Sequence, residues 1–217
     1  MKSLYSFYQT LPKYLVATAV AVIFHLVGWV GMLFFDTQMM ASLTPFNLII
    51  TLLTLSYSFP ERNKTLYSYF FVAFGVGMIT EIIGVNTGYL FGEYRYGENL
   101  GFAVSGVPLL IGTNWFVTMY CVTQSVDFLK IPVWAKVGLG ALLAVVLDYF
   151  LEQLCAKLGF WYWKGDTIPI FNYLCWYLIS AFILAINFRF FPLKRNLFGI
   201  YLFIIQLLFF MSLSFLL

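Results

Sequence analysis

The sequence predicts an all-α membrane protein, a polytopic bundle of about seven transmembrane helices in one integral domain, residues 1–217, with a cytoplasmic N-terminus. Three observations predict it. Of the 217 residues, 62% are hydrophobic and 10% charged, whereas a soluble domain carries about 25% charged residues. Apolar runs recur at roughly 14–35, 43–59, 67–90, 107–126, 132–156, 168–188 and 197–217, each near the ~20 residues that cross a bilayer as a helix. Finally, Pro12, Pro45, Pro60, Pro108, Pro132, Pro169 and Pro192 all fall at or near a run's edge, where a missing N–H harms a helix least.

Basic residues orient the bundle. Segments 1–13, 60–66, 127–136 and 189–196 hold Lys2, Lys13, Arg62, Lys64, Lys130, Lys136, Arg189, Lys194 and Arg195. The alternate segments hold only Arg95, Lys157 and Lys164. The positive-inside rule puts the richer set in the cytoplasm. The net charge of +3 is explained by these loops and implies no nucleic-acid surface.

In the first span, Ala17-Thr18-Ala19 resembles a cleavage site, but the apolar run continues to Phe35, too long for a signal peptide. His25 stands alone there and reads as a hydrogen-bonded packing residue. The second span is short. The third carries Glu81 and Asn86 in its outer half, and its Gly84, Gly88 and Gly92 read as a small-residue stripe for close helix packing. Next comes the long loop 91–106 with Glu93, Tyr94, Arg95, Tyr96 and Glu98. Its aromatics fit either an interfacial belt or a lid over a lipid-accessible pocket. The fourth span carries Asn114 and Trp115 near its outer start. Asp148 and Glu152, four apart and so on one helix face, lie near the outer end of the fifth. Trp161, Tyr162 and Trp163 then read as belt residues. The sixth span begins with Asn172 and Trp176, and the inner halves of the spans read as almost purely apolar.

The three acids are the strongest signal. An Asp at a helix centre costs roughly 2.5–3.5 kcal/mol to insert, so Glu81, Asp148 and Glu152 mark a functional site by default. A clamp between helices is the plain alternative. No intramembrane Lys or Arg neutralises them, which disfavours a clamp alone. A neutral carboxylic acid beside an ionised one is a general acid–base pair. Trp115 and Trp176 pack helices or offer indole faces to a cation.

The third and fourth spans also look like a first version of the fifth and sixth. Each unit, 67–126 and 132–188, has an acid-bearing helix, a loop of glycine and aromatics, and a proline-led descending helix. Trp115 lies seven residues after Pro108, and Trp176 seven after Pro169. Such repeats face each other across a central site in transporters.

Several chemistries are excluded. A chain with one His does not build a di-iron hydroxylase. There is no aspartate-rich diphosphate motif, no lysine in the last span for a retinal Schiff base, and no phosphate loop, dinucleotide fingerprint or nucleophile elbow. Cys121, Cys155 and Cys175 show no metal or disulfide spacing. Cofactor-free, metal-free acid chemistry on something apolar, or ion passage, is what the residues leave open.

The stretch Glu81-Ile-Ile-Gly-Val-Asn-Thr-Gly-Tyr-Leu-Phe-Gly-Glu-Tyr-Arg-Tyr96, followed by Gly106-Val-Pro108 and Asn114-Trp115, resembles the membrane-bound carotenoid hydratases of the bisanhydrobacterioruberin hydratase type. Asp148-Tyr-Phe-Leu-Glu152, Gly159-Phe-Trp161-Tyr-Trp163, Ile168-Pro169, Asn172 and Trp176 fit the same pattern, so the resemblance spans about residues 75–180. Gln153 stands where that pattern has a proline, which touches the helix ending and not the acid.

The resemblance implies addition of water across the terminal C1–C2 double bond of an acyclic carotenoid end such as that of lycopene or γ-carotene, giving a tertiary alcohol. No cofactor is implied. Glu81, Asp148 and Glu152 would be catalytic. Asn86, Asn114, Trp115, Asn172, Trp176, Tyr94 and Tyr96 would bind substrate or water. Either Asp148 or Glu152 would be the acid, with Glu81 and the asparagines holding water, or the reverse. The implied partners are a carotenoid drawn from the bilayer, membrane lipid and other carotenoid-pathway enzymes, in a bacterial or archaeal cytoplasmic membrane. Two other classes remain: a lycopene-cyclase-like isomerase, which would exclude water from the same cation, and a small-molecule or proton-coupled transporter.

Overall fold

The computed structural model describes residues 11–59 and 64–217. Lys2, Pro60 and Arg62 of the topology argument lie outside them. A helix occupies each of the seven predicted runs: α1 (Lys13–Phe34), α3 (Thr44–Ser58), α4 (Lys64–Thr87), α5 (Leu109–Asp127), α6 (Val133–Glu152), α7 (Ile170–Phe190) and α8 (Leu197–Leu216). A short α2 (Thr37–Ser42) was not expected; Asp36 caps it by accepting from Met39 N at 2.9 Å.

Five of these helices (α1, α4, α6, α7 and α8) are long and apolar enough to cross a membrane, so the chain reads as a membrane protein. Their outward faces are apolar: Ile23, Leu26, Phe34, Phe71, Ile170 and Leu208 are all exposed. This inverts the soluble pattern and suits lipid. The other two helices differ for separate reasons. With 15 residues, α3 spans only about 22 Å. The 19-residue α5 carries Thr113, Asn114, Thr118, Thr123 and Gln124, which lower its hydropathy. Those polar groups are tolerable because α5 is the hub of the bundle. It packs against α3, α4, α6, α7 and α8, and 14 of its residues are buried.

Successive helices alternate in direction, and polar groups mark both ends. At the end bearing Lys13 and Lys64, Asn196 Nδ2 donates to Ser58 Oγ and Tyr120 Oη, each at 3.0 Å, and its N–H donates to Gln124 Oε1 at 2.8 Å. Asn187 Nδ2 donates to Thr123 Oγ1 at 3.3 Å. The inner halves are therefore not purely apolar as expected. The missed residues pair with one another, which lowers the cost of burying them, although Asn187 Oδ1 meets no partner among the described residues.

At the opposite end the two long loops meet. Strand β1 (Tyr94–Tyr96) pairs antiparallel with β4 (Trp161–Trp163), Tyr94 opposite Trp163 and Tyr96 opposite Trp161. Gly97 N donating to Phe160 O (2.8 Å) and Lys164 N donating to Glu93 O (3.0 Å) extend the ribbon. A Cβ at Gly97 would stand 2.2 Å from Gly159 O, so the close approach needs glycine there. Strands β2 (Ala103–Val104) and β3 (Val107–Pro108) form a hairpin whose two-residue turn, Ser105-Gly106, has positive φ at both positions.

The stripe Gly84, Gly88 and Gly92 is not a helix-packing surface. α4 ends at Thr87, and Gly88 (φ 69°) and Gly92 (φ 123°) turn the chain back over the helix. At Gly84 the nearest groups to a Cβ belong to Phe91, Leu90 and Tyr94 of that returning loop. Close helix packing is instead at Gly77, where a Cβ would fall 2.4 Å from Trp115 Cγ.

Candidate functional site

Strand geometry builds the roof. Alternate residues of a ribbon point to opposite faces, so Tyr94, Tyr96, Trp161 and Trp163 turn into the bundle. Arg95 and Tyr162 turn out, with the guanidinium 4.8 Å above the tyrosine ring. Glu93 and Lys164 pair across the ribbon at 2.5 Å.

Beneath this roof each glutamate is held by three O–H or N–H donors, and the Cys155 thiol adds a weak fourth to Glu152 Oε2 at 3.6 Å. Glu81, buried on α4, accepts from Tyr94 Oη (2.5 Å) and Tyr96 Oη (2.7 Å) on Oε2 and from Trp115 Nε1 (3.0 Å) on Oε1. Glu152, the last residue of α6, accepts from Trp161 Nε1 (3.0 Å) and Trp163 Nε1 (2.7 Å) on Oε2 and from Asn172 Nδ2 (3.1 Å) on Oε1. Each therefore draws two donors from the strand that follows it and one from the next helix. Burial, and then the Glu81 carboxylate, push the hydroxyls of Tyr94 and Tyr96 far above the ordinary tyrosine value, so both stay donors. Charge-assisted bonds of this kind are about twice as strong as neutral ones.

Asp148 is different. It lies one turn deeper on α6 and accepts only from Asn172 Nδ2, at 3.3 Å, on Oδ2. Its Oδ1 is buried and meets no donor from the described residues. Asn172 thus bridges the two acids of α6.

Glu81, Glu152, Asn114, Trp115, Asn172 and Trp176 line one small cavity of about 30 Å³. A second, of about 20 Å³, is lined by Asp148, Asn114, Thr118, Trp176 and Gln206 among others. A third, of about 230 Å³, is mostly apolar, with Phe24, Met32, Leu48, Leu100 and Phe209 in its wall. Asn114 and Leu151 belong to all three. The large cavity reaches the outside of the bundle at Val27 and Phe46, which line it while 58% and 59% exposed.

Nine of the ten residues predicted from sequence thus border this region: Glu81, Asp148, Glu152, Asn114, Trp115, Asn172, Trp176, Tyr94 and Tyr96. Asn86 does not. Its amide donates to Ile82 O at 2.8 Å and Ser105 O at 2.9 Å, tying the β2–β3 turn to the end of α4. Trp115 and Trp176 stack at 4.1 Å and 12°; Trp115 is fully buried and serves Glu81 as a donor. His25 lines the large cavity with Nδ1 against Ala21 O at 2.8 Å and its ring edge-on to Phe209.

Two groups escaped the sequence reading. Trp161 and Trp163 are buried donors to Glu152, not belt residues. The signal was the matching period-two spacing of Tyr94/Tyr96 and Trp161/Trp163, each pair downstream of an acid. Gln206, in the apolar run of α8, gave no signal beyond being an amide there.

The family described as carotenoid biosynthesis protein matches residues 14–216. Comparison with curated proteins and with solved structures gave no match. The family match takes in both acid-bearing helices, the ribbon and all three cavities, and the chain belongs to the carotenoid biosynthesis protein family.

Proposed function

We propose that the protein is a carotenoid hydratase, a cofactor-independent hydro-lyase that adds water across the terminal C1–C2 double bond of an acyclic carotenoid end. The observation that carries this is the inequality of the three buried acids. Glu81 and Glu152 each accept from at least three donors and suit the ionised form; of the three acids Asp148 alone has an oxygen with no donor among the described residues, where a proton can sit. An acid beside two fixed anions at the end of an apolar cavity fits alkene protonation.

The chemistry follows. The Asp148 O–H gives its proton to the less substituted alkene carbon, and the π pair becomes the new C–H bond. A tertiary cation remains at the other carbon. The Glu81 and Glu152 carboxylates stabilise that charge electrostatically, already oriented by their donors. The indole of Trp176, which borders both small cavities, adds its face. Water attacks the cation and its proton returns to Asp148, restoring the acid. Of the two orders left open by the sequence, this one makes Asp148 the acid.

The substrate end would enter sideways from lipid through the large cavity past Val27 and Phe46. In this reading all seven helices span the cytoplasmic membrane with the N-terminus inside, and the site lies nearer the outer face. The units 67–126 and 132–188 are two copies of one fold, supported by the equivalent donor sets on Glu81 and Glu152 and by the antiparallel β1–β4 pairing between them. Expression in a lycopene-making bacterium, with mass spectrometry of the pigments, tests the activity. A gain of one water per reacted end is expected. A new pigment of unchanged mass would mean cyclisation, and unaltered lycopene would remove it as a substrate.

A further inference from the structure

Five buried polar side-chain atoms among the described residues meet no partner, and two of them, Asp148 Oδ1 and Gln206 Oε1, belong to residues that line the same cavity. They come from different helices, α6 and α8, and both residues are more than nine-tenths buried. Leaving a polar group unsatisfied in a protein core costs about 1–3 kcal/mol, so two beside one space call for a shared partner that can accept from the Asp148 O–H and donate to Gln206 Oε1. The cavity measures about 20 Å³. A water molecule needs roughly 10–15 Å³ and two to four polar partners. Asn114 and Thr118 stand in the same wall.

We infer that this cavity is the binding site of the water that is added, and that Gln206 is its positioning residue. The inference rests on the hydratase reading for the role of the water, while the site itself follows from the two orphaned oxygens and the space between them. Once Asp148 has given up its proton, both its Oδ1 and Gln206 Oε1 are acceptors. A water that spends one hydrogen on each keeps a lone pair for the cation. As the C–O bond forms, the hydrogen directed at Asp148 passes to it. The amide of Gln206 takes no proton and only fixes the molecule. Gln206 borders the large apolar cavity as well as the small one, so the water sits beside the path proposed for the alkene.

Two measurements test this on the full-length protein. An experimental structure of the unliganded protein should show a water about 2.5–3.0 Å from both oxygens; a cavity that is dry or filled by a side chain overturns the site. The second uses Gln206→Met, nearly isosteric but without the acceptor, in proteoliposomes containing lycopene in heavy water. Protonation leaves deuterium in alkene that reverts, whereas capture gives alcohol. Hydration should fall about 10- to 100-fold, the scale of a misplaced reactant, while deuterium in the recovered alkene persists. Gln206→Glu, which keeps an acceptor oxygen, should recover much of the rate. If the Met variant hydrates like the wild type, or loses hydration and deuterium entry equally, Gln206 does not position the water. Wild-type protein that adds no water to lycopene counts against the parent reading instead, and the experimental structure still decides the site.

Discussion

Asp148→Asn separates chemistry from architecture more cleanly than any other single change. In the folded protein Asp148 accepts one long hydrogen bond, 3.3 Å from Asn172 Nδ2, and its other oxygen accepts none. An asparagine keeps an oxygen for Asn172 and turns its NH₂ toward the cavity shared with Gln206 Oε1. No buried donor is stranded. The stability change should therefore stay within about 1 kcal/mol, the worth of one neutral hydrogen bond, or roughly 2–4 °C in the unfolding midpoint. The catalytic change is larger. Losing a positioned general acid slows a reaction about 10²- to 10⁴-fold, or about 2.7–5.5 kcal/mol in the barrier. The assay is hydroxylated pigment per unit of membrane-integrated protein in a lycopene-making host, beside thermal unfolding of the purified protein in detergent. A variant that hydrates within threefold of the wild type would refute the assignment of Asp148 as acid. One that fails to fold would refute the hydrogen-bond accounting.

The two glutamates should respond unequally to amide replacement. Apart from the weak Cys155 thiol, every donor on Glu152 belongs to an indole or an amide, none of which can turn round to accept, whereas two of the three on Glu81 are tyrosine hydroxyls that can rotate and accept. Glu152→Gln should thus lose about 1–3 kcal/mol more stability than Glu81→Gln, read as unfolding midpoints; equal losses would contradict the donor count. Gly77→Ala puts a Cβ 2.4 Å from Trp115 Cγ and should cost about 1–3 kcal/mol by overpacking, with a change in tryptophan fluorescence. Gly75→Ala, with nothing within 4 Å of the new Cβ, should show neither effect. Because burial raises the folded-state values of Tyr94 and Tyr96, their contribution to stability is complete below the unfolded value of about 10 and is lost as pH climbs above it. Unfolding midpoints across alkaline pH should fall less steeply in a Tyr94→Phe/Tyr96→Phe double variant than in the wild type.

Hydropathy located all seven helices, because long apolar runs need no tertiary knowledge to recognise. It misjudged the ends. The run 67–90 stops at Thr87 because Gly88 and Gly92 adopt positive φ, a backbone property that residue spacing alone does not separate from a helical glycine stripe. The acids were legible because an unpaired carboxylate is expensive in lipid wherever it lies. Their donors were less so. Trp161 and Trp163 look like interfacial residues until strand pairing turns them inward, and pairing between β1 and β4 joins segments 67 residues apart. Gln206 and the Asn196 cluster were invisible because a single amide in an apolar run reveals nothing of what faces it.

The donor arrangement also bears on how such a chain can be made. A translocon releases helices into lipid in order, and a carboxylate that arrives without partners meets the full cost of the hydrocarbon. The donors to Glu81 lie 13, 15 and 34 residues beyond it, all within the hairpin of α4 and α5. Those to Glu152 lie 3, 9, 11 and 20 residues beyond it, all within the hairpin of α6 and α7. Each hairpin thus carries within itself the groups that its own glutamate accepts from. Each carboxylate has its donors close by in the chain from the start, and the pairing of β1 with β4 fixes their orientation once both hairpins are in place.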